Sequence, residues 1–209
     1  MIKLIIFDFD GVLIDSINNM KFAWGKTCKK SNIKIPFNNY KKFIGLPFIE
    51  ILKKLKINKK YFKIISRNYN HYSLKKISLM KIKKKDLTVL NTLKKNGYTL
   101  ALFTSKNMKR SFKILGKNKK LFKHKIFPSN KLRGKPYPDG LNKIISNSKF
   151  KKKEAIYLGD TIYDFQSAKL AKIKFLHANW GYQENKKKGI KKIEKLSDLT
   201  IFIRNANKL

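Results

Sequence analysis

Asp8 and Asp10 stand either side of a single residue at the end of an apolar run, in the stretch FDFDGVLIDS over residues 7–16. The chain has only 12 acidic residues among 209 and a formal net charge of +39, yet this stretch holds Asp8, Asp10 and Asp15. Such a concentration in so basic a chain points to a place that needs carboxylates. A carboxylate can attack phosphorus to give an acyl phosphate, and a second one can protonate the leaving oxygen and later activate water. A pair at i and i+2 can do both only where the backbone turns from strand to loop, and Gly11 permits that turn.

The remaining chemistry lies far along the chain. Thr104, Ser105 and Lys106 follow a second apolar run, Gly159, Asp160 and then Asp164 follow another, and Lys135 sits between Gly134 and Pro136. Brought together, Asp8, Asp10, Asp160 and Asp164 would repel one another and would need a counter-charge. A divalent metal supplies it, and an all-oxygen ligand set suits Mg²⁺, which also accepts phosphate oxygens. Thr104, Ser105 and Lys135 offer hydroxyl, amide and ammonium donors for a phosphoryl group. Metal, donors and an in-line nucleophile together specify phosphoryl transfer.

For these residues to meet, the elements before them must be strands ending on one edge of a sheet. MIKLIIF, YTLALFTS, EAIYLGD and IKFLHA are short apolar runs of the kind found in buried parallel strands. Helical stretches separate them: DLTVLNTLKKNG stopping at Gly97, KNMKRSFKILG stopping at Gly116, and TIYDFQSAKLAK. HKIFPS reads as a further short strand, and MKIKKKDL as a connector. The alternation predicts an α/β fold, a doubly wound parallel sheet with helices on both faces, whose crevice lies past the carboxyl ends of the strands. Residues 16–80 break the alternation. They read as short amphipathic helices opened by Ser16 as N-cap and punctuated at Pro36 and Gly45-Leu46-Pro47, a helical insert between 1–15 and 81–209. The lysine-rich tail from about Gln183 includes SDLTIFI and is expected to fold.

Composition narrows the class. At 42% hydrophobic residues the chain can build a sizeable core, and no apolar run approaches the ~20 residues of a membrane span. The N-terminal run is too short for a signal peptide, so the expectation is a cytoplasmic protein. Cys28 is the only cysteine, which excludes an internal disulfide and a cysteine-based zinc site, and His71, His124 and His177 read as surface or packing residues. Lysine and arginine total 51. They are spread along the chain and accompany abundant Asn, Ile, Phe and Tyr, so biased coding explains them better than nucleic-acid binding, although a positive field would draw anionic small molecules. Asp15 reads as a loop-fixing or helix-start acid.

The four chemical stretches, in order, resemble the motifs of the haloacid dehalogenase (HAD) superfamily of hydrolases, in its phosphoglycolate-phosphatase-like branch. DFDGVLIDS matches DxDGxxxDS, LALFTS the strand ending in Ser/Thr, GKPYPDG the lysine motif, and GDTIYD the GDxxxD motif. The resemblance implies a Rossmann-like core with residues 16–80 as a helical cap that closes over the site. It makes Asp8 the nucleophile and a metal ligand. Asp10 becomes the general acid/base, its carbonyl also on Mg²⁺. Thr104 and the Ser105 amide would bind phosphoryl oxygens, with Lys135 neutralising charge. Asp160 would be a metal ligand and Asp164 its supporting partner. FIGLPFIEIL resembles the cap turn, which would bring Gly45 to the substrate beside Gly11. The implied enzyme is a Mg²⁺-dependent phosphatase of a small anionic phosphomonoester, monomeric or homodimeric. A phosphomutase of the same fold, such as one for β-glucose phosphate, is the alternative; a nucleic-acid-binding protein is disfavoured, and Asp10 argues against a dehalogenase. One departure stands out: the family usually has Ala-Gly where this chain has Ala171-Lys172, costing about 1 kcal/mol if the lysine is left-handed.

Overall fold

The computed structural model describes residues 1–184, 187 and 189–208. Its centre is a six-stranded, fully parallel sheet. The strands are β1 (Leu4–Phe7), β2 (Thr99–Phe103), β3 (His124–Ile126), β4 (Ala155–Gly159), β5 (Lys174–Ala178) and β6 (Lys192–Ile193), in the order β3-β2-β1-β4-β5-β6. This is a doubly wound arrangement, with the reversal of strand order at β1.

Alternation along each strand divides the core between two faces. Ile5, Phe7, Leu100, Leu102, Ile156 and Leu158 point to one side, where Leu90 and Leu93 of α5 (Lys84–Lys95) and Leu199 and Ile203 of α9 (Asp198–Lys208) cover them. Leu4, Ile6, Ala101, Phe103, Ala155 and Tyr157 point to the other, under α7 (Asp139–Ser148) and α8 (Ile162–Ala171). Burial on both faces is why the strands read as continuous apolar runs. The helix α6 (Met108–Leu115) ends as expected at Gly116, which has positive φ.

Residues 17–79 are helical, in α1 (Ile17–Lys30), α2 (Phe37–Lys41), α3 (Phe48–Lys54) and α4 (Phe62–Lys75) with single 3₁₀ turns at Lys59–Tyr61 and Ile77–Leu79. They enclose an apolar cluster of their own around Trp24, Tyr40, Leu52, Ile65 and Tyr69. Tyr163 and Tyr182 from the sheet domain pack against it, so the insert rests on the edge that bears the strand ends.

Three local expectations change. Ser16 occupies the N-cap position of α1 but makes no capping bond, because its hydroxyl donates to Asp10. Of the stretch read as a connector only residues 80–83 connect; Lys84 and Lys85 already belong to α5. Residues 185, 186, 188 and 209 of the tail lie outside the described residues; the described part folds as expected but adds the two-residue strand β6, paired with β5 at His177 and Ala178. No helix among the described residues is long and apolar enough to cross a membrane. Lys172 closes α8 in the left-handed conformation, φ 57° and ψ 42°, with its amide and that of Ile173 bonded back to Ala168.

Candidate active site

Parallel strand ends bring the chemistry together. Asp8 follows β1, Thr104 follows β2 and Asp160 follows β4; the Asp8 amide still donates to Leu158 at 2.9 Å, so the ladder fixes where the loop begins. Gly11 has φ +81°, and a Cβ there would stand 2.1 Å from the Asp160 carboxylate. Only glycine lets the first loop pass this close.

Lys135 is fully buried, its ammonium 2.7 Å from Asp8 and 2.6 Å from Asp164. The faces of Phe103 and Tyr157 flank it at 5.2 and 5.7 Å, which suits a desolvated cation. Asp164 is saturated: one oxygen meets Lys135 and the Tyr157 hydroxyl at 2.5 Å, and the other accepts from the Thr161 amide and hydroxyl at 2.9 and 2.6 Å. Thr161 and Asp164 also form the capping box of α8, so the helix start and the site are one structure.

Asp8, Asp160 and Asp164 each offer an oxygen within 4.8 Å of the others. Asp160 accepts from the Tyr182 amide at 2.7 Å through Oδ2, while its buried Oδ1 makes no hydrogen bond. Burial pushes the Asp8 carboxyl up to about 7 despite Lys135, and burial together with Asp164 and Asp8 pushes Asp160 well above the usual carboxylate range. Burial alone would raise Asp164 too, but Lys135 and the donors from Thr161 and Tyr157 hold it below. Burial likewise works against the Lys135 charge, and Asp164 and Asp8 outweigh it, raising its pKa. One lysine among three buried carboxylates leaves negative charge uncompensated. With an orphaned Asp160 oxygen and hard oxygen donors, the residues fit a divalent cation.

Asp10 lies on the other side of Asp8's loop. Its Oδ1 receives the Ser16 hydroxyl and lies 3.0 Å from the Lys106 ammonium, which is buried; burial lowers that lysine's pKa, partly offset by Asp10. The Tyr182 hydroxyl accepts from the Ser16 amide at 2.6 Å. The Thr104 hydroxyl accepts from the Lys106 amide at 3.0 Å. The Ser105 hydroxyl donates to the Gly45 carbonyl at 2.6 Å, so it faces the insert, not the carboxylates. Gly45, at φ +107°, passes so close to Thr161 that a Cβ would stand 2.6 Å from its hydroxyl. A cavity of about 40 Å³ remains between insert and sheet, lined by Asp8, Asp10, Gly45, Thr104, Lys106 and Arg110 among others.

Asp8, Asp10, Gly11, Thr104, Lys135, Asp160 and Asp164 are thus assembled at the strand ends, with Ser105 and Gly45 at the seam. Asp15 accepts from the Ile17 amide at 3.1 Å, the loop-fixing contact expected of it. None of the three histidines joins the carboxylate cluster. Sequence reasoning gave no role to Lys106, Arg110 or Tyr157, and read Ser16 only as a helix cap. Tyr157 carried a usable signal, a hydroxyl inside an otherwise aliphatic strand; Lys106 adjoined a motif but was one cation among 51.

A family model for haloacid dehalogenase-like hydrolases matches residues 5–178, from β1 through β5. The chain belongs to this family. Among curated HAD proteins it is similar to a phosphoglycolate phosphatase of Aquifex aeolicus, 28% identical with 86% of each chain covered. It is equally similar, at 28%, to a protein of Caldanaerobacter subterraneus provisionally named pyrophosphatase PpaX, covering 86% of this chain and 82% of that one. A solved hydrolase from Pseudomonas syringae superposes with a TM-score of 0.84 at 20% identity, over 97% of this chain and 98% of that one. The chain is a phosphoglycolate-phosphatase-like HAD hydrolase, an enzyme of the phosphoric monoester hydrolase kind.

Proposed function

We propose that the enzyme hydrolyses a small phosphomonoester with Mg²⁺ as cofactor, through a phosphoryl group carried on Asp8. The observation that carries this reading is the Lys135 ammonium held between Asp8 and Asp164, with Asp160 alongside and Asp10 at the mouth of the same loop.

In this reading Asp8 attacks phosphorus while the bond to the leaving oxygen breaks, and Asp10 donates the proton that oxygen needs. Asp10 then takes a proton from water as the water attacks the aspartyl phosphate, releasing orthophosphate and restoring Asp8. Asp8, Asp160 and the Asp10 carbonyl hold the cation, which supplies positive charge to the phosphoryl oxygens. Thr104 and the Ser105 amide bind those oxygens, and Lys135 offsets charge on Asp8 and on the phosphoryl group. Asp164 acts through Lys135 and Thr161 and positions both.

Residues 16–80 serve as the cap. Gly45 and Leu46 line the cavity opposite Asp8, so closure shields the aspartyl phosphate from bulk water and brings the cap against the leaving group. The space between cap and sheet is about 40 Å³, which favours a compact substrate. The test is phosphate release from phosphoglycolate, sugar phosphates, mononucleotides and pyrophosphate, with and without Mg²⁺. Metal-dependent release from at least one is expected; no release from a folded protein would overturn the reading.

A further inference from the structure

Arg110 is a charged group in the site that the phosphatase chemistry leaves unused. It lies in the first turn of α6, is 8% exposed, and lines the same cavity as Asp8, Asp10 and Thr104. No carboxylate among the described residues forms an ion pair with it. One terminal nitrogen donates to the Ser73 hydroxyl of α4 at 3.0 Å, the guanidinium carbon lies 5.4 Å from the centre of the Tyr69 ring, and the buried Nε has no hydrogen-bond partner.

Two physical costs fall on this position. A buried guanidinium without an anion is strongly unfavourable, because a desolvated charge needs a partner. A cation in the first turn of a helix also opposes the helix dipole, and here α6 has no acid in that turn. Lys106, one turn before, is spoken for by Asp10 at 3.0 Å. The start of α6 thus presents an uncompensated positive group to a cavity that the proposed nucleophile also lines.

We propose that Arg110 selects substrates whose leaving group carries a second anionic group, a carboxylate or a second phosphate, seated between α6 and the cap residues Tyr40 and Tyr69. This rests on the phosphatase reading above and sharpens it: the phosphoryl end lies at Asp8 and Thr104, and the second anion lies at Arg110. A neutral leaving group would leave the guanidinium as it stands, buried and unpaired, whereas an anion supplies charge-assisted hydrogen bonds. In the complex, Lys106 stays with Asp10 and does not serve the second anion.

The experiment compares kcat/KM for three esters built on the same two-carbon unit: phosphoglycolate, 1,2-ethanediol bisphosphate and 2-hydroxyethyl phosphate. The wild-type enzyme is expected to prefer at least one of the two anionic esters over the neutral one by roughly tenfold or more, and the preferred arm identifies the anion. Arg110→Gln should bring that ratio close to one, mainly through KM for the anionic ester, and Arg110→Lys should give an intermediate ratio. A role confined to holding α4 against α6 would lower all three substrates together and keep the ratio. No preference in the wild type, or a ratio unchanged in Arg110→Gln, overturns the inference; if Arg110→Gln does not fold, an unchanged ratio in Arg110→Lys does so. Calorimetry of phosphoglycolate and the bisphosphate with Asp8→Asn, with and without Arg110→Gln, separates this inference from the parent reading. Should the wild type turn over no ester, the phosphatase reading fails, while affinity that drops roughly tenfold without Arg110 still supports the anion site. Absent or Arg110-independent binding overturns it.

Discussion

The Ser105 hydroxyl donates to the Gly45 carbonyl over 2.6 Å, joining the loop after β2 to the turn of the helical cap. The hydroxyl is therefore committed to closing the seam, and only the Ser105 amide is left for a phosphoryl group. Ser105→Ala is expected to cost about 1 kcal/mol of stability, the net worth of one such bond. It should leave inhibition by orthophosphate within about twofold of wild type, since the amide is retained. A weakening of orthophosphate inhibition by roughly tenfold or more would mean that the hydroxyl itself holds the phosphoryl group.

Lys135 carries the heaviest electrostatic burden in the site, with Asp8 at 2.7 Å and Asp164 at 2.6 Å. Lys135→Met keeps most of the volume and removes the charge, leaving two buried carboxylates without their cation. Loss of one partner from such a buried cluster costs about 3–5 kcal/mol, so the urea midpoint should fall sharply and turnover should drop below detection. A variant with wild-type stability would show that the three groups do not form the buried cluster described here.

How much of this was readable in advance varies residue by residue. Asp8, Thr104 and Asp160 were legible because each ends an apolar run, and parallel strands buried on both faces must be such runs. Lys135 was legible from its glycine and proline neighbours. Arg110 was not: in a chain with 51 basic residues, nothing local marks it as one whose side chain turns inward. Ser16 looked like a helix cap because its position is a cap position, yet tertiary contact with Asp10 takes its hydroxyl. The strand β6 is two residues long, too short for any alternation to show, and exists because β5 offers it a paired edge.

The left-handed lysine at the end of α8 invites a direct check. A Cβ in this conformation costs on the order of 1 kcal/mol, which glycine avoids. Lys172→Gly should therefore stabilise the enzyme by about 0.5–1 kcal/mol in urea denaturation, with activity unaffected because α8's far end is remote from Thr161. A destabilised variant would indicate that the lysine side chain contributes more than its backbone strain.

Cys28 reports on the cap. Its thiol donates weakly to the Ile35 carbonyl inside the cap cluster, and burial pushes its pKa up to about 11. A raised thiol pKa means less thiolate at any pH below it, so a disulfide reagent at pH 8 should react with the native protein far more slowly than with the urea-unfolded chain. The native rate should climb as pH approaches 11, not level off near the ordinary thiol value. Rapid native labelling at pH 8 would mean that the cap core is open around this residue.

The central claim is that Asp8 carries the phosphoryl group. Its most direct test is orthophosphate release from the best substrate of the panel in Mg²⁺, comparing wild type with Asp8→Asn at matched folding by circular dichroism. The account predicts metal-dependent turnover in the wild type and a loss of at least about a thousandfold in the variant, since an amide cannot act as the nucleophile. Turnover by folded Asp8→Asn at a rate close to wild type would contradict it.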